Sequence, residues 1–279
     1  MASVLVYTLS TRRTERQKLT RVAVVKNDIL YIDGGLEVFV TKNWGGAGVG
    51  TPILGYSELY LPRLETQSRN GMSLLMSLHL DEYLITVPMN ASWNWKTNIS
   101  VTALEKPENP NTGTPPPNNV RGALYAGAHD DPNVYIYGGT VSWANQSFPG
   151  FQWPTSGTYA LWGYDTSDGS WDQHDVSLDL PYRPAGGAYA ESIDLGLAFY
   201  LGGFLDNGSS SDYIHYSEFK QYLNGLVVLN TTTKEASNIS TSSLKSYPRA
   251  QGGLAHIPNL GSEGILVSIG GMTEEGYVC

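Results

Sequence analysis

Four short apolar segments of the sequence each end in a pair of glycines, and this repeat constrains the fold more than any other feature. The segments are 29–35, 134–139, 197–203 and 265–271. Their apolar residues are largely β-branched, aromatic or leucine residues, a composition typical of β-strands. Because the glycine pair closes every copy, the sequence predicts one structural unit that is used four times.

Each unit contains more than the strand that the glycines close. An apolar stretch and a polar turn precede that strand, which predicts two antiparallel strands per unit. A third strand is predicted at 83–87, 159–165 and 226–230. Asp168-Gly169 is a tight-turn signal that leads into a fourth strand at Ser170-Trp171. Ser92-Trp93 predicts the same strand in the first unit, and the third unit has no tryptophan at this position. The predicted unit is a four-stranded sheet of the kind that forms a propeller blade.

These motifs resemble kelch repeats, in particular the divergent kelch propellers of fungal secreted or cell-surface proteins. The resemblance covers approximately residues 20–271. It implies an all-β, kelch-type β-propeller, similar in fold to the central domain of galactose oxidase, with structural roles for the glycine pairs and for two tryptophans. Those residues are Gly34, Gly35, Gly138, Gly139, Gly202, Gly203, Gly270, Gly271, Trp93 and Trp171. The alternative is an all-β sandwich with glycine-rich turns.

The spacing of the glycine pairs predicts the domain layout. An N-terminal segment, 1–19, precedes one propeller domain at 20–279. The blades are predicted near 20–104 with an insertion at 44–76, 118–180, 181–245 and 246–279, the last incomplete. We expect a fragment of a six- or seven-bladed ring. The alternative is a four-bladed ring in which Ser3 to Leu9 returns as an added strand on the last blade.

Composition restricts the partners and the compartment. Seventeen basic against 26 acidic residues give a net charge of −9, so the basic surface of a nucleic-acid binder is absent. No apolar run reaches the roughly 18 residues of a membrane-spanning helix. Six N-glycosylation sequons favour a secreted or cell-surface protein, although no signal peptide is visible in this sequence. The sequons begin at Asn90, Asn98, Asn145, Asn207, Asn230 and Asn238.

Catalytic chemistry is not indicated by any motif. The five histidines lack the spacing that places two metal ligands on one face. The copper-radical oxidases that share the kelch fold need a cysteine crosslinked to a tyrosine, and the single cysteine here is Cys279. We therefore assign no catalytic, cofactor-binding or metal-binding residue and expect no cofactor.

The expected function is a non-enzymatic binding or scaffold module that recognises a protein or a glycan through loops at the rim of the propeller. The first alternative is part of a carbohydrate-active propeller enzyme, oxidase-like or hydrolase-like, whose site residues lie outside this chain. A second alternative is an intracellular kelch adaptor.

Overall fold

Regular structure in the described part of the chain consists of β-strands. The computed structural model describes residues 22–34, 36–42, 64–67, 73–80, 83–93, 100–111, 113–118, 120–140, 161–176, 183–210, 212–213, 215–216, 220–244, 248–262 and 264–277. In chain order the strands are β1 (Val22–Lys26), β2 (Ile29–Asp33), β3 (Leu36–Lys42), β4 (Leu64–Gln67), β5 (Ser73–Leu80), β6 (Leu84–Pro88), β7 (Thr102–Leu104), β8 (Ala123–Tyr125), β9 (Asn133–Tyr137), β10 (Leu161–Asp165), β11 (Trp171–His174), β12 (Ala188–Ser192), β13 (Leu197–Leu201), β14 (Phe204–Asp206), β15 (Lys220–Tyr222), β16 (Leu226–Asn230), β17 (Ala236–Ile239), β18 (Gly253–Ile257), β19 (Ile265–Ile269), β20 (Met272–Thr273) and β21 (Gly276–Tyr277). The predicted all-β class is confirmed.

The repeat in the sequence corresponds to a repeated sheet. Three antiparallel sheets have four strands each, in the orders β1-β2-β6-β7, β8-β9-β10-β11 and β12-β13-β16-β17. A fourth sheet contains β18 and β19. We call these sheets blades 1 to 4. In every blade the glycine pair directly follows the second strand, which is β2, β9, β13 or β19.

Neighbouring blades pack face to face and share their apolar cores. Strand β9 shows this most clearly, because both of its faces are buried. Val134 and Ile136 lie in the core shared with blade 1, whereas Tyr135 and Tyr137 lie in the core shared with blade 3. A strand that is covered on both faces has no polar alternation, which explains its continuous apolar sequence.

Within the described residues, blade 4 packs against another blade on one face. Strand β12 of blade 3 packs against β18, and the rings of Phe199 and His256 lie 5.8 Å apart across this junction. On the opposite face of blade 4, Ile269 is 69% exposed. Its counterpart in blade 3 is Leu201, which is 8% exposed. Blade 4 therefore presents this apolar face to solvent, whereas blade 3 buries the equivalent face.

The fourth strands differ in part from the prediction. Trp171 begins β11, the fourth strand of blade 2, as predicted. The fourth strand of blade 1 is β7, so Ser92 and Trp93 do not supply it. Instead, the ring of Trp93 packs beside the cluster of Leu30, Ile32 and Val87, and its Nε1 donates a hydrogen bond to the carbonyl oxygen of Pro88 at 3.1 Å. The connection after β6 is longer than the tight turn before Trp171. The fourth strand of blade 1 therefore begins later in the chain than predicted, at β7.

The region of the predicted insertion contains a separate sheet. Strands β3, β5 and β4 pair in that order, apart from the sheet of blade 1. This sheet starts before residue 44 and ends after residue 76, so it extends beyond both predicted bounds of the insertion. The N-terminal segment 1–19, which contains the closing strand of the alternative four-bladed ring, lies outside the described residues.

Candidate functional site

The two ends of the blades carry very different connections. At one end the second strands finish in the glycine pairs, and we call this end the diglycine face. The connections from second to third strand leave from it and span residues 34–83, 138–160 and 202–225. At the opposite end, the turn face, residues 27–28, 126–132, 193–196 and 258–264 join the first strand to the second. The three longest connections between blade strands thus begin and end at the diglycine face.

Backbone hydrogen bonds join the blades at the diglycine face. The amide of Gly139 in blade 2 donates to the carbonyl oxygen of Pro184 at 2.7 Å, and Gly203 in blade 3 donates to Arg249 at 2.7 Å. A second set lies beside them. Gly186 donates to Arg121 at 2.8 Å, and Gln251 donates to Gly186 at 2.6 Å. We call these four bonds the inter-blade ladder, which connects blades 2, 3 and 4.

In blades 2 and 3, this close approach requires the first residue of the pair to be glycine. Gly138 and Gly202 have φ values of 66° and 64°, in the left-handed region that side chains disfavour. A Cβ on Gly138 would lie 2.5 Å from the carbonyl oxygen of Pro184, and one on Gly202 would lie 2.2 Å from that of Arg249. Both contacts are with backbone atoms, which cannot rotate away. The glycine pairs are thus explained by contacts between blades as well as by the turn itself.

The residue after each glycine pair is anchored in the same way in three blades. Thr140 exchanges two backbone hydrogen bonds with Val120, at 2.9 and 3.0 Å. The equivalent pairs are Phe204 with Ala185 and Met272 with Ala250. The connections of blades 2 and 3 therefore leave the diglycine face from fixed positions.

The connection of blade 3 places a cationic and aromatic patch on the diglycine face. Strands β14 and β15 form a hairpin inside this connection. The Nζ of Lys220 lies 4.3 Å from the ring centroid of Phe204 and 4.9 Å from that of Tyr222. The guanidinium of Arg121 lies 5.8 Å from the Phe204 centroid. Cation–π contacts of this kind hold Lys220 against the hairpin and leave it exposed to solvent.

A buried polar contact fastens the hairpin to blade 2. The hydroxyl of Thr140 donates to Oδ1 of Asp206 at 2.5 Å, and the amide of Gly208 donates to the same oxygen at 2.8 Å. Both Thr140 and Asp206 are buried. Burial lowers the pKa of Arg121, and the negative charge of Asp206 opposes that shift. Arg121 and Asp206 therefore lie at the base of the patch, where Asp206 holds the connection to blade 2.

Exposed aromatic and polar residues occupy the outer part of the blade 3 connection. Tyr216 is 62% exposed, and His215, Lys220 and Gln221 are exposed as well. Large aromatic side chains supply contact area at a low cost in conformational entropy. This arrangement presents exposed aromatic and polar side chains of the kind that contact a macromolecular surface.

A charged cluster on the turn face was not predicted from the sequence. Lys26 of blade 1 is 8% exposed and contacts carbonyl oxygens of the 126–132 loop of blade 2. Glu191 of blade 3 accepts a hydrogen bond from the amide of Ala126 at 2.7 Å. Nothing in the local sequence signals either role, because Lys26 and Ala126 are 100 residues apart.

The predicted glycosylation sites fall in different environments. Asn90 and Asn238 are exposed, whereas Asn207 and Asn230 are half-buried. The Oδ1 of Asn230 accepts hydrogen bonds from the amides of Thr232 and Thr233, both at 2.9 Å. The sequons at Asn98 and Asn145 lie outside the described residues.

Clustered metal ligands and membrane-spanning helices are both absent from the described ranges. Within those ranges, no three His, Cys, Asp or Glu side chains converge as ligands for a metal ion. The histidines there are dispersed: the ring of His129 faces Asp194 at 2.9 Å, and that of His174 lies 6.1 Å from the ring of Tyr135. None of the residues described belongs to a helix of the length and apolarity that crossing a membrane requires.

Repeated four-stranded sheets, packed face to face and joined behind their glycine pairs, define the predicted β-propeller architecture. Over 226 residues, or 69% of its length, the chain is 26% identical to a kelch repeat-containing protein of Arthroderma benhamiae. The match covers 31% of that relative, so the chain spans about a third of its length. No protein-family model matches the chain. A solved structure described as that of YjhT is also similar, with a TM-score of 0.43 and 14% identity. The match covers 85% of this chain and 54% of the YjhT chain.

Proposed function

We propose that the chain is a non-enzymatic binding module that recognises a protein or a glycan through its diglycine face. The observation that carries this proposal is that three long connections leave the blades at that one face and return to it. Loops on a rigid scaffold are where binding residues concentrate. The inter-blade ladder supplies the base, and the connections anchored in blades 2 and 3 supply the contact surface.

The short turns at the opposite end support this choice of face. The turn after β10 bonds mainly with itself, because Oδ1 of Asp165 accepts hydrogen bonds from the amide and the hydroxyl of Ser167 at 2.7 and 2.6 Å. The turn after β16 is closed by Asn230 in the same manner. Turns that satisfy their own polar groups have few donors and acceptors to offer a ligand.

Photo-crosslinking can test which face binds. A photoreactive phenylalanine analogue is placed at Tyr216 on the diglycine face or at Leu260 on the turn face, where the native side chains are 62% and 50% exposed. The probes are a panel of cell-surface proteins and a glycan array of fungal polysaccharides. We expect adducts or labelled glycans from position 216 and a yield at least about tenfold lower from position 260, because the latter lies outside the proposed interface.

Two outcomes would count against the proposal. Equal yields from both positions with a bound partner would show that the diglycine face has no special role. Recovery of a cleaved or oxidised glycan from the incubation would show that the module is an enzyme, since a binding module returns its ligand unchanged.

We also propose an extracellular or cell-surface location, which the sequons support. When the chain is expressed behind a secretory leader in yeast, we expect N-glycans at Asn90 and Asn238, whose side chains are exposed. We expect little or no glycan at Asn230, because its amide group closes a turn. Enzymatic release of N-glycans converts each occupied asparagine to aspartate, which peptide mass spectrometry detects. Occupancy at Asn230 with bare Asn90 and Asn238 would contradict this prediction.

A further inference from the structure

Asparagine followed by glycine is a sequence prone to spontaneous loss of ammonia, and three such pairs occur in this chain. They are Asn70-Gly71, Asn207-Gly208 and Asn224-Gly225, of which the first lies outside the described residues. The backbone nitrogen of the glycine must approach the side-chain amide of the asparagine, and glycine has no Cβ to obstruct that approach. The folded structure decides which of the pairs can react, because it fixes the surroundings of that nitrogen.

The pair Asn224-Gly225 lies where the connection of blade 3 returns to the sheet, between β15 and β16, and Asn224 is exposed. The residues on both sides are fixed. The amide of Leu223 donates to the carbonyl oxygen of Gly203 at 3.0 Å, and the amide of Gly202 donates to that of Gly225 at 2.9 Å. Within the described residues, the peptide group that joins Asn224 to Gly225 makes no backbone hydrogen bond. The nitrogen of Gly225 is therefore available to react.

The pair Asn207-Gly208 is held in a way that opposes the same reaction. The amide of Gly208 donates to Oδ1 of Asp206 at 2.8 Å, and both of these residues are buried. Hydrogen bonds to a carboxylate are among the stronger ones in proteins. The nitrogen of Gly208 must release this bond before it can attack Asn207. The two described pairs have the same sequence and differ in the availability of the attacking nitrogen.

We propose that Asn224 is a site of spontaneous deamidation and isomerisation at the diglycine face. The nitrogen of Gly225 forms a bond to Cγ of Asn224, and the bond from Cγ to the side-chain nitrogen breaks. Ammonia leaves with the proton that the nitrogen of Gly225 gives up. Water then opens the cyclic imide at either carbonyl carbon, which produces aspartate or isoaspartate. The reaction consumes water alone, and it does not depend on whether this face binds a ligand.

Isoaspartate at this position weakens the junction between blades 3 and 4. It adds a carbon atom to the main chain, because the backbone then runs through the former side chain. The hydrogen bonds of Leu223 and Gly225 fix the present length of this stretch, so at least one of them must break or distort. Gly203, which accepts from Leu223, also donates to the carbonyl oxygen of Arg249 in blade 4 at 2.7 Å. The added atom therefore disturbs the inter-blade ladder.

The test follows both described pairs in one sample of the full-length chain, produced without glycosylation because Asn207 begins a sequon. The folded chain is incubated at neutral pH and physiological temperature, and peptide mass spectrometry measures the conversion of each asparagine. We expect Asn224 to convert about tenfold faster than Asn207 or more, because the bond of Gly208 must break first. In urea, where that bond is lost, the two pairs should convert at similar rates.

Amide hydrogen exchange measures the structural effect of the modification. In the incubated chain, the amides of Gly203 and Leu223 should exchange about tenfold faster than in the fresh chain. Asn224→Gln is the matched control, because glutamine keeps the side-chain amide and closes the corresponding ring far more slowly, so incubation should leave its exchange unchanged. Conversion of Asn224 no faster than that of Asn207 in the folded chain would overturn the proposal, as would isoaspartate at 224 with full protection of both amides.

Discussion

Gly202→Ala is expected to destabilise the protein by about 3 kcal/mol or more, through the junction between blades 3 and 4. The left-handed backbone at φ 64° costs an alanine roughly 1–2 kcal/mol. The new Cβ would also lie 2.2 Å from the carbonyl oxygen of Arg249, so the two blades must separate. That movement breaks the hydrogen bond from Gly203 to Arg249. Urea unfolding monitored by tryptophan fluorescence measures the loss.

Gly113→Ala is the matched control for this substitution. Gly113 has a φ of 66°, almost equal to that of Gly202, and a Cβ there would meet no atom within 4 Å. We therefore expect a cost of about 1 kcal/mol, from the backbone conformation alone. Equal effects of the two substitutions would show that the glycine pair is needed for its backbone conformation only and not for the approach of the next blade.

Trp162→Ala is expected to cost about 3–5 kcal/mol, because it leaves a large cavity between blades 1 and 2. Trp162 is 1% exposed and lies in the core that also contains Val22, Tyr31 and Leu84 of blade 1. The surrounding side chains come from two sheets, and collapse of the cavity would distort both. Thermal unfolding of the variant should begin at a markedly lower temperature than that of the wild type.

Trp171→Ala provides the comparison within the same blade. Trp171 is half-buried on the outermost strand, where its ring lies 5.0 Å from that of Tyr164 and its Nε1 donates to the carbonyl oxygen of Glu105 at 3.1 Å. We expect a loss of about 1–2 kcal/mol from this partial burial and one hydrogen bond. A larger loss for Trp171 than for Trp162 would contradict the assignment of the core between the blades.

These two tryptophans show how far the sequence alone could lead. The glycine pairs and the turn before Trp171 are local signals, and the strands that they predict are present. Trp162 carries no such signal. It lies in an apolar strand whose burial depends on blade 1, since Trp162 belongs to the same core cluster as Leu84, which is about 80 residues away in the sequence. Trp93 was placed in a fourth strand by analogy with Trp171, although the longer connection after β6 moves that strand to β7.

The candidate sites could be predicted only in part, because they too depend on contacts between residues that are distant in the sequence. The long spacing between glycine pairs predicts inserted segments, and the structure adds that the connections leave from one face. The cluster around Lys26 and Glu191 depends on contacts between three blades. Single charged residues at the ends of apolar strands look like ordinary surface positions until the neighbouring sheets are in place.

Amide hydrogen exchange of the inter-blade ladder tests the central claim most directly, namely that the diglycine face is a rigid platform for the long connections. The amides to follow are those of Gly139, Gly186, Gly203 and Gln251. We predict protection within about tenfold of the amide of Ile136, which lies in a central strand, because opening the ladder requires separating blades. Exchange of these four amides at the rate of an unstructured peptide, with Ile136 protected, would contradict the account.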